Sequence, residues 1–396
     1  MKRDSNFATN AVRSGTKRSE FGEHSEAIFQ TSSFVFKTAK DAEDHFSGNS
    51  SGFIYSRFTN PTVEMFEERL AKLENAESCC ATASGMAAIF LLCLTFLRSG
   101  DRVLTTPSLF GATIQGFETI LKKFGVQIDY ANLTDIEDWN RKITKETKLL
   151  FLESPSNPRN ELADLSKIAT LAKNSNSISV VDNCILTPAL QNPLDFGIDL
   201  SLHSATKFID GQGRALGGAI AGSKKLVEKM KQTMRFSGFS LTPFNAWILL
   251  KSLETLKIRM DAHSINSKKV AEWLDSNKKV SNVYYPGLKT HPQYALASKQ
   301  QQTGGALVSF EILNPWGSGA KEKAWKIIDN VNLFSRTGNL GDTRSTITHP
   351  ATTTHLKLSQ QQQNIAGISP GLIRLSVGLE ETQDLINDLD SSFGYL

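Results

Sequence analysis

Short apolar runs that each stop at a polar residue set the architecture of this chain. Arg102-Val103-Leu104-Thr105-Thr106, Val126-Gln127-Ile128-Asp129-Tyr130, Lys148-Leu149-Leu150-Phe151-Leu152 and Ile178-Ser179-Val180-Val181 read as strands. Helical stretches at 111–124 and about 164–173 lie between them. Strands alternating with helices make a mostly parallel sheet covered by helices on its faces. Ligands of such sheets bind outside the carboxyl ends of the strands. Phe110, Glu153, Asn157, Asp182 and Asn183 all fall just after strand ends, so they are expected to share one site.

A lysine stands out beside them. Ser204-Ala205-Thr206-Lys207 follows the apolar run Phe196-Gly197-Ile198-Asp199-Leu200 and precedes Gly211-Gln212-Gly213-Arg214. Lys207 therefore sits in a loop between two strand-like pieces, with two hydroxyls just before it. A desolvated lysine loses its proton readily and becomes a nucleophile towards an aldehyde. The Ser204 and Thr206 hydroxyls are suited to hydrogen-bonding a phosphate. A second anion site is signalled at Ala81-Thr82-Ala83-Ser84-Gly85-Met86. There Ser84 is the expected N-cap of a helix ending near Ser99-Gly100. Free amides and the dipole at such a helix start attract phosphate.

The rest of the chain fits around this centre. Residues 1–60 lack strong periodicity, and the first eighteen carry Lys2, Arg3, Arg13, Lys17 and Arg18 against Asp4. An arm that packs on a neighbouring subunit is expected. Asn60-Pro61 opens a helix running to Glu74, with Val63, Phe66, Leu70 and Leu73 on one face. A long helical connector is expected from Leu241-Thr242-Pro243 to about Asp275. Beyond Pro286-Gly287 come strands at 306–310 and 372–377 with a helix at 322–331, an α+β pattern. Gln360 to Gln363 reads as a polar surface segment. The expected domains are the arm at 1–60, an α/β domain at 61–256 and a smaller α+β domain at 257–396.

Composition excludes several classes. The net charge of +4 over 396 residues is interspersed, which argues against nucleic-acid binding. The longest apolar run, Met86 to Leu97, is too short to cross a bilayer. Cys79, Cys80, Cys93 and Cys184 form no C-x-x-C pair and have no His at ligand spacing, so neither metal nor disulfide is expected. Buried thiols in a reducing cytoplasm follow.

The pieces match what a pyridoxal 5'-phosphate site requires. Such a site needs a lysine to hold the cofactor and a carboxylate to keep the pyridine nitrogen protonated. An aromatic ring stacks on the pyridine, donors surround the phosphate, and an arginine grips the substrate carboxylate. The chain closely resembles the Cys/Met-metabolism family of pyridoxal phosphate enzymes, a fold-type I group, over nearly its whole length. The strings that carry the resemblance are Tyr55-Ser-Arg-Phe-Thr-Asn-Pro-Thr62, Ser84-Gly-Met-Ala-Ala88, Glu153-Ser-Pro-Ser-Asn-Pro158 and Val181-Asp-Asn183. Ser204-Ala-Thr-Lys207, His349-Pro-Ala-Thr-Thr-Thr-His355 and Ser369-Pro-Gly-Leu-Ile-Arg-Leu-Ser-Val-Gly-Leu-Glu380 complete them.

The resemblance implies roles. Lys207 carries the cofactor and shuttles protons. Asp182 pairs with the pyridine nitrogen, Asn157 bonds the ring hydroxyl and Phe110 stacks on the ring. Ser84, Gly85, Met86, Ser204 and Thr206 cradle the phosphate. Tyr55 and Arg57 reach the phosphate of a neighbouring subunit, in a homotetramer built from dimers that share active sites. Arg374 binds the substrate α-carboxylate, with Asn339 beside it. An unpaired charge at Arg374 would be costly in its apolar strand, and a carboxylate ligand resolves that cost.

Two departures from the family pattern bear on the reaction. The stacking residue, usually Tyr, is Phe110, so proton transfer falls to Lys207 or Tyr55. The segment near the substrate is Gly338-Asn339-Leu340-Gly341-Asp342-Thr343-Arg344 in place of a Ser-Leu-Gly-Gly string. Together with Gly211-Gln212-Gly213-Arg214, these features look like the sulfhydrylase branch. The implied reaction is γ-replacement on O-succinylhomoserine by sulfide, giving homocysteine for methionine biosynthesis. Arg336 or Arg344 is a candidate partner for the succinyl carboxylate. Alternatives are cysteine as nucleophile, an acetyl ester, or γ-elimination. Gly111-Ala112, where methionine-degrading members usually carry a cysteine, counts against the last. A non-catalytic scaffold is disfavoured because Lys207, Asp182, Arg374 and Tyr55 are all present.

Overall fold

The computed structural model describes residues 6–396. Lys2, Arg3 and Asp4, three of the charges in the amino-terminal reading, lie outside the described residues.

A seven-stranded sheet forms the larger layer, in the order β1-β7-β6-β5-β4-β2-β3. Its strands are β1 (Ser78–Thr82), β2 (Arg102–Thr105), β3 (Gln127–Tyr130), β4 (Thr147–Glu153), β5 (Ile178–Asp182), β6 (Leu200–His203) and β7 (Gly218–Gly222). Strands β3, β2, β4, β5 and β6 pair in parallel, and β7 alone runs against its neighbours. Helices cover both faces, so the central strands are apolar without alternation. Phe151 meets Phe117 edge to face at 5.5 Å. This is the α/β architecture with a mostly parallel sheet that the alternating runs imply.

Two strands of this sheet escaped the sequence reading. β1 is Ser-Cys-Cys-Ala-Thr and β7 is Gly-Ala-Ile-Ala-Gly, and neither has the β-branched content that usually marks a strand. Both are buried under closely packed helices, where small side chains are what fits. The run at 196–200 is also displaced. A 3-10 turn covers Pro193–Phe196, and the strand begins at Leu200.

The second, five-stranded sheet runs β10-β11-β12-β9-β8. Its members are β8 (Val280–Tyr284), β9 (Leu307–Ile312), β10 (Ser335–Arg336), β11 (Thr346–Thr348) and β12 (Leu372–Ser376). Arg374 lies mid-strand in β12, between Ser309 of β9 and Thr348 of β11.

The expected connector helix is two helices, Pro243–Leu253 and Leu256–Ser276. The Arg259 guanidinium takes the Ser252 carbonyl at 3.0 Å and the Phe208 carbonyl at 2.7 Å. A carbonyl engaged in this way tilts away from the helical ladder, and the chain bends there. The expected helix at 111–124 likewise stops at Thr119 and tightens into a 3-10 turn that ends at Gly125, whose φ is +78°. Gln360–Ile365 is helical, held by a Ser359–Gln362 capping box. Gln363 is buried and donates to the His355 carbonyl at 3.0 Å.

Residues 6–60 hold α1 (Phe7–Arg13) and α2 (Ala39–Ser47). α3 (Pro61–Leu73) carries the fully buried Arg69, which ties the amino-terminal stretch to the body of the protein. Arg69 donates to the Ser14 carbonyl at 2.7 Å and to Glu26 at 2.5 Å. Burial alone would raise the Glu26 pKa, but hydrogen bonds from backbone, Arg69 and Lys251 outweigh it and pull it from 4.5 to about 2. A depressed carboxylate contributes stability above its unfolded pKa and loses it as pH falls through the folded value. The melting temperature is therefore expected to drop between pH 4.5 and about 2, and Glu26→Gln to flatten that decline. An equally steep drop in the variant would remove Glu26 from the account.

Candidate active site

The carboxyl ends of β4, β5 and β6 open into one pocket. The loop after β6 presents Lys207 there, braced where the Lys207 amide donates to Ser204 O at 3.1 Å. A second brace is the Gly217 amide donating to Thr206 Oγ1 at 3.1 Å. The Lys207 amine donates to Asn339 Oδ1. Burial pulls the Lys207 ammonium below its ordinary 10.5, and the Arg374 charge adds to that against the opposing Asp182 carboxylate.

α4 (Gly85–Phe96) starts at the pocket wall. Ser84 caps it by accepting from the Ala87 amide at 3.1 Å. The first amides of a helix have no partner within it, and here Gly85 and Met86 line the pocket with Ser204. A Cβ on Gly85 would stand 2.7 Å from the Ser204 Cβ, so only glycine lets the helix start approach the lysine loop this closely. The Ser84 hydroxyl is committed to its cap and the Thr206 hydroxyl to Gly217. Neither lines the pocket.

Asp182 and Glu153 are register neighbours at the ends of β5 and β4. Asp182 Oδ1 accepts from the Cys184 amide at 3.1 Å. Desolvation raises its pKa, against the Cys184 bond and the nearby His203 and Lys207. Phe110 enters from the loop after β2. Asn157 lies after β4, and its Oδ1 accepts from Arg374 Nη1 at 3.2 Å.

Arg374 reaches in from the second sheet and is 1% exposed. Its Nη2 donates to the carbonyls of Gly338 at 2.9 Å and Asn339 at 3.0 Å. Its Nε has no hydrogen-bond partner. Burial lowers its pKa to about 10, with the neighbouring Glu153 carboxyl acting the other way. A buried guanidinium that lines a pocket and keeps one donor unused is suited to receive an anion.

The pocket thus gathers Lys207, Asp182, Phe110, Asn157, Gly85, Met86, Ser204 and Arg374, and Asn339 meets it through Lys207. Asn183 does not join them. Consecutive strand residues face opposite sides, and Asn183 points away, donating to the Gln191 carbonyl at 2.8 Å. Arg336 donates to the Ile328, Asp329 and Val331 carbonyls, and Arg344 pairs with Asp342 at 3.2 Å. Tyr55 and Arg57 lie outside the pocket within this chain, with the Arg57 guanidinium 4.8 Å from the Phe58 ring centre. Ile89, Thr113 and Cys184 line the pocket unannounced. Only the position of Cys184, two residues past Asp182, hinted at it. Among the described residues no cluster of His, Cys, Asp or Glu could hold a metal ion, and no helix is long and apolar enough to cross a membrane.

Comparison with known proteins agrees with this geometry. The O-succinylhomoserine sulfhydrylase of Pseudomonas aeruginosa is 50% identical over 383 residues, covering 97% of this chain and 94% of the relative. An L-methionine gamma-lyase of Fusobacterium nucleatum is 37% identical over 97% of both chains. A putative O-acetylhomoserine (thiol)-lyase from Campylobacter jejuni, solved with N'-pyridoxyl-lysine-5'-monophosphate, superposes with a TM-score of 0.94. It is 34% identical, and the match covers 98% of this chain and 100% of that one. The family described as Cys/Met metabolism PLP-dependent enzyme matches residues 8–394, and the chain belongs to that family of fold-type I pyridoxal phosphate enzymes.

Proposed function

We propose that this enzyme replaces the γ-acyloxy group of O-succinylhomoserine with sulfide, giving homocysteine and succinate. The observation that carries the reading is Arg374, a buried guanidinium with an unpartnered Nε that lines the same pocket as Lys207. Half identity with an O-succinylhomoserine sulfhydrylase along nearly the whole chain supports the branch.

The residues present fit the family's cofactor. The Gly85 and Met86 amides suit its phosphate, as do the Ser204 hydroxyl and, after local rearrangement, those of Ser84 and Thr206. The Asp182 carboxylate suits a protonated pyridine nitrogen, Asn157 the ring hydroxyl and Phe110 the ring face. Pyridoxal phosphate, when bound, supplies an electron sink for charge that develops at the substrate Cα.

The chain's own groups do the rest. Arg374 grips the substrate α-carboxylate and orients the Cα–H bond. Lys207, the residue that holds the cofactor covalently, removes the Cα proton once freed and then a proton from Cβ. Succinate leaves from Cγ, sulfide takes its place, and protons return to Cβ and Cα. Phe110 has no hydroxyl to share this work. Tyr55, with Arg57, is assigned to the site of a neighbouring subunit in a homotetramer of site-sharing dimers, where it assists proton transfer. The setting is methionine biosynthesis in the cytoplasm.

Steady-state rates with O-succinyl- and O-acetylhomoserine, each with sulfide and with cysteine, test the reading. The expected result is the highest kcat/KM for the succinyl ester with sulfide. Dominant cystathionine formation would make the enzyme a cystathionine γ-synthase. Release of ammonia and a keto acid from methionine at comparable rates would make it a γ-lyase.

A further inference from the structure

We propose that Glu153 is a positioning residue for the stacking aromatic: its carboxyl, bonded to the main-chain amide of Phe110, sets the pose of the Phe110 ring in the pocket. The inference rests on the cofactor reading of the Lys207 pocket and concerns a residue to which that reading gives no task.

Three features carry it. The Phe110 amide donates to Glu153 Oε2 at 3.0 Å, joining the loop after β2 to the end of β4. Phe110 also opens α5 (Gly111–Thr119), whose start has no side-chain cap. A phenyl ring has no polar handle of its own, so its position depends on how its backbone is held. The next residue, Gly111, is pressed against the 349–355 loop, where a Cβ would stand 2.6 Å from the Thr354 carbonyl oxygen. The ring therefore hangs from a peptide fixed on one side by a side-chain bond and on the other by backbone contact.

The choice of an acid for this task is informative. Glu153 is 3% exposed and sits in register beside Asp182. Among the described residues neither carboxylate has a Lys or Arg nitrogen in direct ion-pair contact, and Arg374 acts on Glu153 only from farther off. Two carboxylates side by side in a desolvated pocket do not both stay charged. Burial and the Asp182 charge push Glu153 well above the usual carboxylate range. Asp182 keeps its amide bond from Cys184 and the favourable field of His203 and Lys207. Glu153 is thus the member of the pair that takes the proton. One of its oxygens remains free to accept from Phe110, and Asp182 keeps the charge that a pyridinium needs. In this state Glu153 is a neutral hydrogen-bonding group that glutamine can imitate.

The test uses the cofactor-loaded enzyme with Glu153→Gln, Glu153→Asp and Glu153→Ala. Circular dichroism in the visible band of the bound cofactor reports how the ring is seated. Cofactor dissociation on dilution reports how firmly it is held, and melting of the unloaded proteins reports folding. One net hydrogen bond of about 1 kcal/mol corresponds to roughly a fivefold change in a rate or binding constant. Glu153→Ala is expected to change the visible dichroism and to release cofactor roughly fivefold faster. Glu153→Asp, too short to reach the Phe110 amide, should do the same even if the alanine variant fails to fold. Glu153→Gln should match the wild type in both signals. Wild-type dichroism and release in Glu153→Asp would overturn the proposal. So would a Glu153→Gln variant as impaired as the others, because charge and not the anchor would then be what matters. A wild-type protein that binds no cofactor at all would instead sink the reading on which the proposal rests.

Discussion

Lys207→Ala is expected to lower turnover by at least about a thousandfold and to abolish the visible absorption of lysine-held cofactor. The size follows from what one amine is asked to do. On the proposed reading it holds the cofactor, and it moves protons at two substrate carbons. Losing a positioned acid/base alone costs about 10²- to 10⁴-fold. The variant should nonetheless fold. Lys207 makes no ion pair among the described residues, and its amine's only hydrogen bond goes to Asn339. Relieving a desolvated ammonium offsets the lost contact, so the unloaded variant should melt close to the wild type. Lys207→Arg isolates the charge from both demands, since a guanidinium keeps the charge but loses neither its proton nor its reluctance as a nucleophile. It should be as inactive as the alanine variant. Turnover within tenfold of wild type in Lys207→Ala, measured by homocysteine release, would move the chemistry elsewhere in the pocket.

What could be read from the amino acids follows from burial. Strands covered on both faces become continuous apolar runs, so β4 and β5 announce themselves, and the residues at their ends converge by topology. Glu153, Asp182 and Phe110 were placed together on that ground, and Lys207 and Arg374 joined them through the family strings. The failures are of another kind. Asn183 was grouped with Asp182, yet a one-residue step along a strand turns a side chain to the opposite face. β1 and β7 were missed because close packing selects Gly, Ala and Cys, residues with weak strand preference. At the break at 254–255 Arg259 also reaches the Phe208 carbonyl, a contact 51 positions apart that no local pattern encodes. Arg336 and Arg344 were candidates for the succinyl carboxylate. Arg336 donates to the helix-end carbonyls a few positions before it, and the exposed Arg344 pairs with Asp342 two positions away.

Asp182→Asn is expected to lower kcat by about 10²- to 10³-fold and to leave KM nearly unchanged. The substitution is nearly isosteric, and asparagine Oδ1 can still accept from the Cys184 amide now bonded to Asp182 at 3.1 Å. The local geometry therefore survives and only the charge is lost. A protonated pyridine nitrogen then faces no opposing charge in a desolvated pocket, and the ring accepts less of the charge that develops at Cα. That penalty grows as the reaction proceeds, so it falls on the transition state and not on the bound substrate. On the proposed reading substrate binding rests on Arg374, which is anchored by Asn157, Gly338 and Asn339 and makes no hydrogen bond to Asp182. Glu153 feels the change too, because the Asp182 charge is one of the two influences that raise it. Its proton becomes easier to lose, and the charge removed at one strand end can partly return at the next. The kcat deficit of Asp182→Asn should therefore shrink as pH rises, and combining it with Glu153→Gln should abolish that recovery. A KM that rises while kcat holds would instead place Asp182 among the substrate-binding groups.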